Sequence, residues 1–213
     1  MMLLSYKYRL KPSAEQVAAL EEQLRLCRLT YNKHLNHSYE ERKAGSGTPT
    51  QFSLQNLLPD MKAQMPELDQ VFSQVLQNAA KRVRMGFESY WNRKRVGLKA
   101  HLPRFRGADK YGSLTYPQFG FQLKANIICL FKIGDLKIIQ HRCVEGRVKT
   151  LTVMRSRAGK WYAVFSSEVE ARPIQGRLPS VGVDLGLNNL VALSDGTVFM
   201  APRKYREAEE RLG

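Results

Sequence analysis

The chain has 213 residues, of which 43% are hydrophobic, so it can bury one full-sized core or two modest ones. Its formal net charge of +15 predicts a polyanionic partner, because each phosphate that a cation neutralises releases counterions. No apolar run is long enough to span a membrane, and the short basic start is not typical of a signal peptide. Three widely spaced cysteines argue against a zinc ribbon or a disulfide framework and favour a reduced cytoplasmic setting.

The first predicted elements are a short strand and a long helix. Residues 5–10 alternate polar and apolar side chains, which is the period of a strand. Ser13 and Gln16 stand three residues apart, as in a capping box, and predict a helix that runs to about Lys43. Apolar side chains recur along this helix at steps of three and four residues, at Val17, Leu20, Leu24, Cys27, Tyr31 and Leu35.

Two further helices are predicted after the Gly-containing segment 45–49. A shorter one lies near 52–64, and a third spans roughly 68–97. From Lys81 to Lys110 the chain has ten Lys or Arg residues and two acidic residues. Because opposite charges for pairing within the helix are scarce, this block is predicted to contact phosphates rather than solvent alone.

From about Ser113 the pattern changes to short strands rich in β-branched and aromatic residues. Five segments separated by Gly, Asn and Asp turns predict a small antiparallel β-barrel, at 113–123, 126–133, 136–140, 147–156 and 160–170. The strand at 5–10 can join this barrel, which would make the helices an insertion between strands. Base stacking and core packing both remain open for its aromatic residues, which are Tyr116, Phe119, Phe121, Trp161 and Tyr162.

An aspartate stands within an apolar run near the end of the chain. After a linker-like segment at 172–180, the residues around Asp184 predict a strand that is buried on both faces or nearly so. A buried carboxylate is costly unless it is paired, hydrogen-bonded or bound to a cation. Two interpretations of Asp184 are equally supported: a ligand of a divalent metal, or a carboxylate that accepts hydrogen bonds from backbone amides. Residues 194–196 then predict a hairpin turn.

Three segments, taken in order, resemble a known family. The stretch VGVDLGLNNLVALSDG at 181–196 resembles the first RuvC motif of the TnpB family, the transposon-encoded OrfB-type proteins related to type V CRISPR effectors. Residues 8–32 resemble the N-terminal segment of that family, which is often labelled a helix-turn-helix. HLPRFRG at 101–107 resembles its basic Pro-Arg-Phe motif. The resemblance covers the whole chain, with the barrel and the linker in the expected order.

The resemblance implies an RNA-guided DNA endonuclease of the prokaryotic cytosol or nucleoid, with guide RNA and target DNA as partners and no membrane. Base pairing would read the sequence, and the protein would contact mostly the nucleic-acid backbone. Asp184 matches the first catalytic aspartate of the family, a ligand of Mg²⁺. The predicted nucleic-acid-binding residues are Lys81, Arg82, Arg84, Arg93, Lys94, Arg95, Lys99, Arg104, Phe105, Arg106, Arg155 and Arg157.

The fold class expected from pattern and resemblance together is α+β. It combines a small antiparallel β-barrel, an inserted helical bundle and the first strands of an incomplete RuvC/RNase H-like domain. The expected domains are a wedge-like barrel at 1–11 and 111–175 and a helical recognition insertion at 12–110, whose N-terminal part is helix-turn-helix-like. The start of the nuclease domain is expected at 176–213.

The sequence departs from the family pattern after Asp184. The family has a second catalytic glutamate, a zinc ribbon and a third catalytic aspartate downstream, whereas 29 residues follow Asp184 here. Asp195 is expected to serve a turn, and Glu207, Glu209 and Glu210 are expected to face solvent. The chain is therefore interpreted as truncated and inactive alone, with no zinc, and with a C-terminal fragment as a candidate partner that would complete the Mg²⁺ site.

Three other interpretations remain open. A cleavage-incompetent RNA-guided regulator shares every basic feature and differs in whether further carboxylates reach Asp184. An ATPase with a G-[VI]-D-L-G phosphate motif is disfavoured, because Leu187 and the two asparagines after it stand where hydroxyl residues are expected. A transposase-type DNA-binding protein is the third, but DNA strand transfer gains no support, because the histidines form no pair of the kind that such chemistry needs. His34 and His37 lie three apart on a helix and are expected to be solvated or packed rather than metal ligands.

Overall fold

The computed structural model describes residues 1–117, 119–170, 180–187 and 189–202. The chain divides into two compact units, Met1–Ala171 and Arg172–Gly213. The predicted linker, apart from Ser180, and the three C-terminal glutamates lie outside the described residues.

Seven strands form one antiparallel sheet in the first unit. They are β1 (Met2–Lys11), β2 (Ser113–Pro117), β3 (Phe121–Lys124), β4 (Ile127–Leu130), β5 (Gly134–Ile139), β6 (Arg147–Arg155) and β7 (Trp161–Val169). They pair in the order β2-β6-β7-β1-β5-β4-β3, so the N-terminal strand lies in the middle of the sheet. In the described part of the chain β2 and β3 do not pair with each other, and the barrel is nearly rather than fully closed.

Side-chain alternation along the strands builds the barrel core. On β1 the side chains of Tyr6, Tyr8 and Leu10 are buried, and the residues between them face outward. The other strands bury the same kind of residue at every second position, including Leu114, Tyr116, Leu136, Ile138, Leu151, Val153, Trp161, Ala163 and Phe165. The prediction of a small antiparallel barrel is confirmed for this sheet, and the strand predicted at 5–10 is part of it.

Helix α1 (Ala14–Lys43) begins at the predicted capping box. The Ser13 hydroxyl accepts a hydrogen bond from the Gln16 amide at 3.3 Å, and the Gln16 side chain accepts one from the Ser13 amide at 3.0 Å. The helix is continuous over 30 residues. The apolar stripe predicted for it is buried except for Val17, which is half-buried.

The segment between α1 and the last helix differs from the prediction. Instead of one helix near 52–64, it holds α2 (Gln51–Gln55), α3 (Leu58–Gln64) and a 3₁₀ turn at Pro66–Gln70. Pro59 explains the break, because it lacks an amide hydrogen and its ring cannot follow a preceding helical turn. The third predicted helix begins at Ser73 rather than near 68, since the two residues before it have extended ψ angles of 138° and 127°.

Helix α4 (Ser73–Arg95) packs against α1 and β2. It buries Val75, Leu76, Ala79, Ala80, Val83 and Phe87. Gly97 ends it with a φ of +71°, and the Leu98 amide donates back to the Arg93 carbonyl at 2.9 Å. Three basic residues, Arg93, Lys94 and Arg95, thus lie in the last turn of the helix. Among the helices that the structure describes, none is both long and apolar enough to cross a bilayer.

The described part of the second unit is a three-stranded antiparallel sheet. It contains β8 (Val183–Asp184), β9 (Asn189–Leu193) and β10 (Val198–Met200), in the order β10-β9-β8. The predicted hairpin turn is confirmed. Gly196 has a φ of +90°, and the Leu193 amide donates to the Thr197 carbonyl at 2.8 Å across the turn.

The prediction that Asp184 lies on a buried strand is wrong. Asp184 is exposed, and its neighbours Val183 and Leu185 are 61% and 73% exposed. The physical reason is that the described residues of this unit form a single layer, and one layer cannot cover its own faces. The desolvation argument for a metal at Asp184 therefore fails, and the case for a metal rests on the sequence motif.

Candidate nucleic-acid interface

The end of α4 and the segment after it present cations to solvent. Arg93, Lys94, Arg95 and Lys99 are exposed, and none of them forms an ion pair within the described ranges. Arg93 donates to the backbone carbonyl of Lys99 at 2.9 Å, and Arg95 donates to the Asn92 side-chain oxygen at 3.0 Å. Because these acceptors are neutral, the bonds hold the side chains without cancelling their charge.

The Pro-Arg-Phe motif is fixed to the two long helices. The Tyr39 hydroxyl donates to the Pro103 carbonyl, and Asn32 exchanges two hydrogen bonds with the Arg106 backbone, at 2.8 and 3.1 Å. Gly86 of α4 permits the close approach, because a Cβ there would lie 2.9 Å from Pro103 Cγ. Because α1 and α4 both contact the backbone of this motif, the positions of its Cα atoms are fixed.

The side chains of this motif combine an aromatic ring with two guanidinium groups. Phe105 is 52% exposed and meets Tyr39 edge to face at 5.8 Å. Arg104 and Arg106 are exposed, and the Arg106 guanidinium lies 5.6 Å from the Tyr31 ring centroid. A ring flanked by cations can stack a base while the cations contact phosphates. We refer to residues 93–106 as the 93–106 segment.

Other cations predicted to bind nucleic acid are engaged within the protein. Arg84 forms an ion pair with Glu88 at 2.9 Å, and Arg155 forms one with Glu21 at 2.8 Å. Arg82 donates to the side chains of Asn78 and Thr115, and its guanidinium lies 5.0 Å from the Tyr111 ring centroid. No ion pair is found in the described chain for Lys81 and Arg157, which are exposed.

The aromatic residues of the barrel divide between core and surface. Tyr116 and Trp161 are buried, and the Tyr116 hydroxyl donates to Gln23 at 3.0 Å. Phe121 packs against the same core. Phe119 is 91% exposed with a φ of +74°, so its ring is open to a partner. Core packing therefore accounts for most of these residues, and base stacking remains an option for Phe119.

A polar cleft lined by amides lies between α2, α4 and the barrel. It has a volume of about 240 Å³. Side-chain amides can donate to and accept from base edges in a groove. Lys81 of this lining was predicted from the sequence. Sequence reasoning missed the amides because uncharged amides far apart in the chain leave no compositional signal. The lining is Gln51, Gln55, Gln74, Gln77, Asn78, Lys81, Thr115, Pro117 and Thr150.

The structure brings no metal-binding cluster to Asp184 within the residues it describes. No group of three His, Cys, Asp or Glu side chains that could hold a metal is found among them. Over the same residues the Asp184 carboxylate accepts no hydrogen bond. Asp195 behaves differently, because the Thr197 amide donates to its carboxylate at 2.9 Å and lowers its pKa. Asp195 is thus a turn residue, as expected.

A cavity of about 620 Å³ lies between α1, α3 and Phe105, and its lining includes a buried histidine. His34 is fully buried, and neither ring nitrogen has a hydrogen-bond partner in the described structure. Burial lowers its pKa to about 4, with a smaller contribution from His37. The other ionisable residues that line the same cavity are Lys33, His37, Glu40 and Asp60. The sequence-based expectation that His34 is packed holds.

Stability should fall in mild acid because of His34. The unfolded chain binds a proton at His34 below a pKa of about 6.5, whereas the folded chain resists it down to about 4. The free energy of unfolding should therefore drop as pH falls through this window, by about 2 kcal/mol at pH 5. Urea titrations from pH 8 to pH 5 measure it. His34→Leu should flatten the dependence, and His101→Gln, at an exposed site, should not; an unchanged slope in His34→Leu would contradict this assignment.

Known proteins are similar to this chain both in its N-terminal part and along nearly its whole length. Residues 1–46 match the OrfB-type family described as "Helix-turn-helix domain", although here they form β1 and one continuous helix. The chain is 30% identical over 215 aligned residues to an Escherichia coli (strain K12) protein named "Putative RNA-guided DNA endonuclease InsQ". It is 28% identical over 216 aligned residues to a Streptomyces pristinaespiralis protein named "Putative RNA-guided DNA endonuclease".

These alignments cover nearly the whole chain, 99% and 98% of it. They cover 52% of each relative, so the chain spans about half the length of the curated relatives it matches. The N-terminal family match and the alignments over nearly the whole chain agree with the resemblance of the motifs at 8–32, 101–107 and 181–196. By sequence, the chain is similar to the TnpB family of OrfB-type, transposon-associated proteins.

Proposed function

We propose that the chain is the guide-RNA- and target-DNA-binding part of an RNA-guided DNA endonuclease. The observation that carries this proposal is the 93–106 segment, which combines exposed cations that have no carboxylate partner among the described residues with an exposed aromatic ring. The names of the relatives support the same activity class. The helix dipole alone would favour cations in the last turn of α4. It does not account for Lys99, Arg104 and Arg106, which lie beyond its reach.

The proposed division of labour follows the chain. The barrel at 1–11 and 111–175 and the helical insertion at 12–110 would hold the guide and its heteroduplex with DNA, mainly through backbone phosphates. The amide-lined cleft could contact base edges at the same time. Residues 176–213 would begin the RuvC/RNase H-like nuclease domain.

A divalent metal would enter at Asp184, which offers a hard oxygen ligand of the kind that Mg²⁺ prefers. In two-metal phosphodiester cleavage such ions stabilise the attacking and leaving oxygens. Asp184 fits that role as one ligand, because its carboxylate is exposed and engaged by no other described group. Further carboxylates are needed before this site can hold the ion in a catalytic geometry.

Sequencing of RNA that copurifies with the chain tests the proposal. At low and at high salt we expect one abundant structured RNA from the end of the encoding element. Heterogeneous RNA that washes off with salt would show a generic polycation and would contradict the proposal.

A second candidate is an RNA-guided binder that does not cleave. It is favoured by the lack of a three-residue metal cluster in the described part of the chain. With Mg²⁺, this chain alone should bind target DNA without cutting it, and Asp184→Ala should leave binding unchanged. Gel assays of a labelled target with the copurified RNA measure both. Mg²⁺-dependent cutting that Asp184→Ala abolishes would rule out the non-cleaving candidate.

A further inference from the structure

A second group of cations lies on the outer face of the barrel, outside the set predicted from the sequence. In the strand register Lys11 stands opposite Lys137, Lys137 opposite Ile127, and Ile127 opposite Lys124. Directly opposed residues of antiparallel strands share one face of the sheet. Two and four residues before Lys11 on the same strand, Arg9 and Lys7 point to that face as well. These five residues, Lys7, Arg9, Lys11, Lys124 and Lys137, are called the barrel patch.

Ion pairs within the described residues do not cancel the charge of the barrel patch. Across the described residues none of its five members forms an ion pair or a side-chain hydrogen bond. Two acidic residues lie on the same sheet face, and neither forms an ion pair with a member of the barrel patch in the described structure. Glu168 pairs with Lys149 at 2.7 Å, and Asp135 faces the Cys129 thiol, whose pKa its hydrogen bond raises.

One pair of cations in the barrel patch opposes folding. Like charges directly across a strand pair destabilise a sheet, and Lys11 and Lys137 form such a pair. Lys7 and Arg9 are both drawn to one ring, at 4.4 and 5.3 Å from the Tyr162 centroid, which concentrates their charge further. The four lysines are exposed, so core packing does not account for them.

We propose that the barrel patch binds the phosphate backbone of a single nucleic-acid strand, as a contact surface separate from the 93–106 segment. Alternate residues of β1 place Lys7, Arg9 and Lys11 about 7 Å apart, a repeat close to that of successive phosphates along an extended strand. Ile127 and Ile139, which are 40% and 47% exposed, lie among the cations and can contact sugars and bases. This inference deepens the proposed function and rests on it.

The test compares two variants of the full chain with equal loss of charge. Lys11→Gln/Lys137→Gln removes the opposed pair, and Arg28→Gln/Lys43→Gln removes two cations of α1. Binding to labelled oligo(U), oligo(dT) and a DNA duplex, each of about 20 nucleotides per strand, is measured across a salt series. The barrel variant should bind a single strand at least fivefold more weakly, and its slope of log K against log salt should shrink by about 1.4.

The same barrel variant should gain thermal stability, with Tm rising by about 1–3 °C, because a repulsive pair is removed. Weaker binding together with a higher Tm is a combination that a purely structural role does not produce. The oligo(U) and oligo(dT) arms decide whether RNA or DNA is the strand held. The α1 variant should show neither effect to the same degree.

Three results would overturn the inference. They are unchanged single-strand affinity in the barrel variant, a lower Tm, or a loss confined to the duplex. If neutralising the 93–106 segment still weakens binding in that case, the proposed function stands and the barrel patch alone is refuted. If neither segment matters and binding ignores salt, the proposed function fails as well.

Discussion

Phe87→Ala should lower the free energy of unfolding by about 3–5 kcal/mol. Phe87 is fully buried on α4, and Tyr39 of α1 meets it edge to face at 6.1 Å. The Arg42 guanidinium lies 5.7 Å from its ring centroid. The substitution therefore opens a cavity where α1 and α4 meet, and it removes an aromatic pair as well. Urea unfolding followed by far-UV circular dichroism measures the loss.

The exposed Phe52 provides a matched control for this substitution. Its side chain is 72% exposed, so Phe52→Ala should change the free energy of unfolding by less than about 0.5 kcal/mol. Because Tyr39 also holds the Pro103 carbonyl, Phe87→Ala should loosen the Pro-Arg-Phe motif and weaken nucleic-acid binding under folding conditions. A loss of stability no larger than that of Phe52→Ala would show that α4 does not pack on α1 as described.

Features set by short-range patterns were predictable from the sequence. The start of α1 followed from Ser13 and Gln16, because a capping box is decided within four residues. The turn between the strands predicted at 147–156 and 160–170 followed in the same way, and Gly159 takes a φ of +68° there. The prediction of one helix near 52–64 was wrong because it followed the composition of the segment. The backbone geometry of Pro59 does not allow a helix to continue through it.

Features set by long-range contacts were not predictable. Arg155 looked free in the sequence, yet it meets Glu21, which is 134 residues away. Lys11 and Lys137 became neighbours only through the register of β1 and β5. Charge counting along the chain thus selected two cations that are paired, Arg84 and Arg155, and overlooked the barrel patch. The prediction that Asp184 is buried was wrong for a related reason. Burial depends on which layers cover a strand rather than on the strand itself.

Neutralising the basic end of α4 should cost nucleic-acid affinity on the order of 10- to 100-fold near 0.1 M salt and much less at high salt. The variant is Arg93→Gln/Lys94→Gln/Arg95→Gln, which removes three exposed cations that have no carboxylate partner in the described structure. If each contacts one phosphate, the slope of log K against log salt should shrink by about 2–3. Fluorescence anisotropy with the copurified RNA across a salt series measures both quantities.

The decisive comparison is with three cations that already have carboxylate partners. Arg25 is paired with Glu22 at 2.7 Å, Lys62 with Asp69 at 2.9 Å and Lys149 with Glu168 at 2.7 Å. Their triple replacement by glutamine changes the net charge equally, so a protein that binds only through its total charge would lose as much affinity in either variant. If instead the positions of the unpaired cations matter, the α4 variant must lose far more. Equal losses of affinity in the two variants would show that the 93–106 segment contributes only through the total charge of the protein. The exposed ring and guanidinium groups of that segment would then need another explanation.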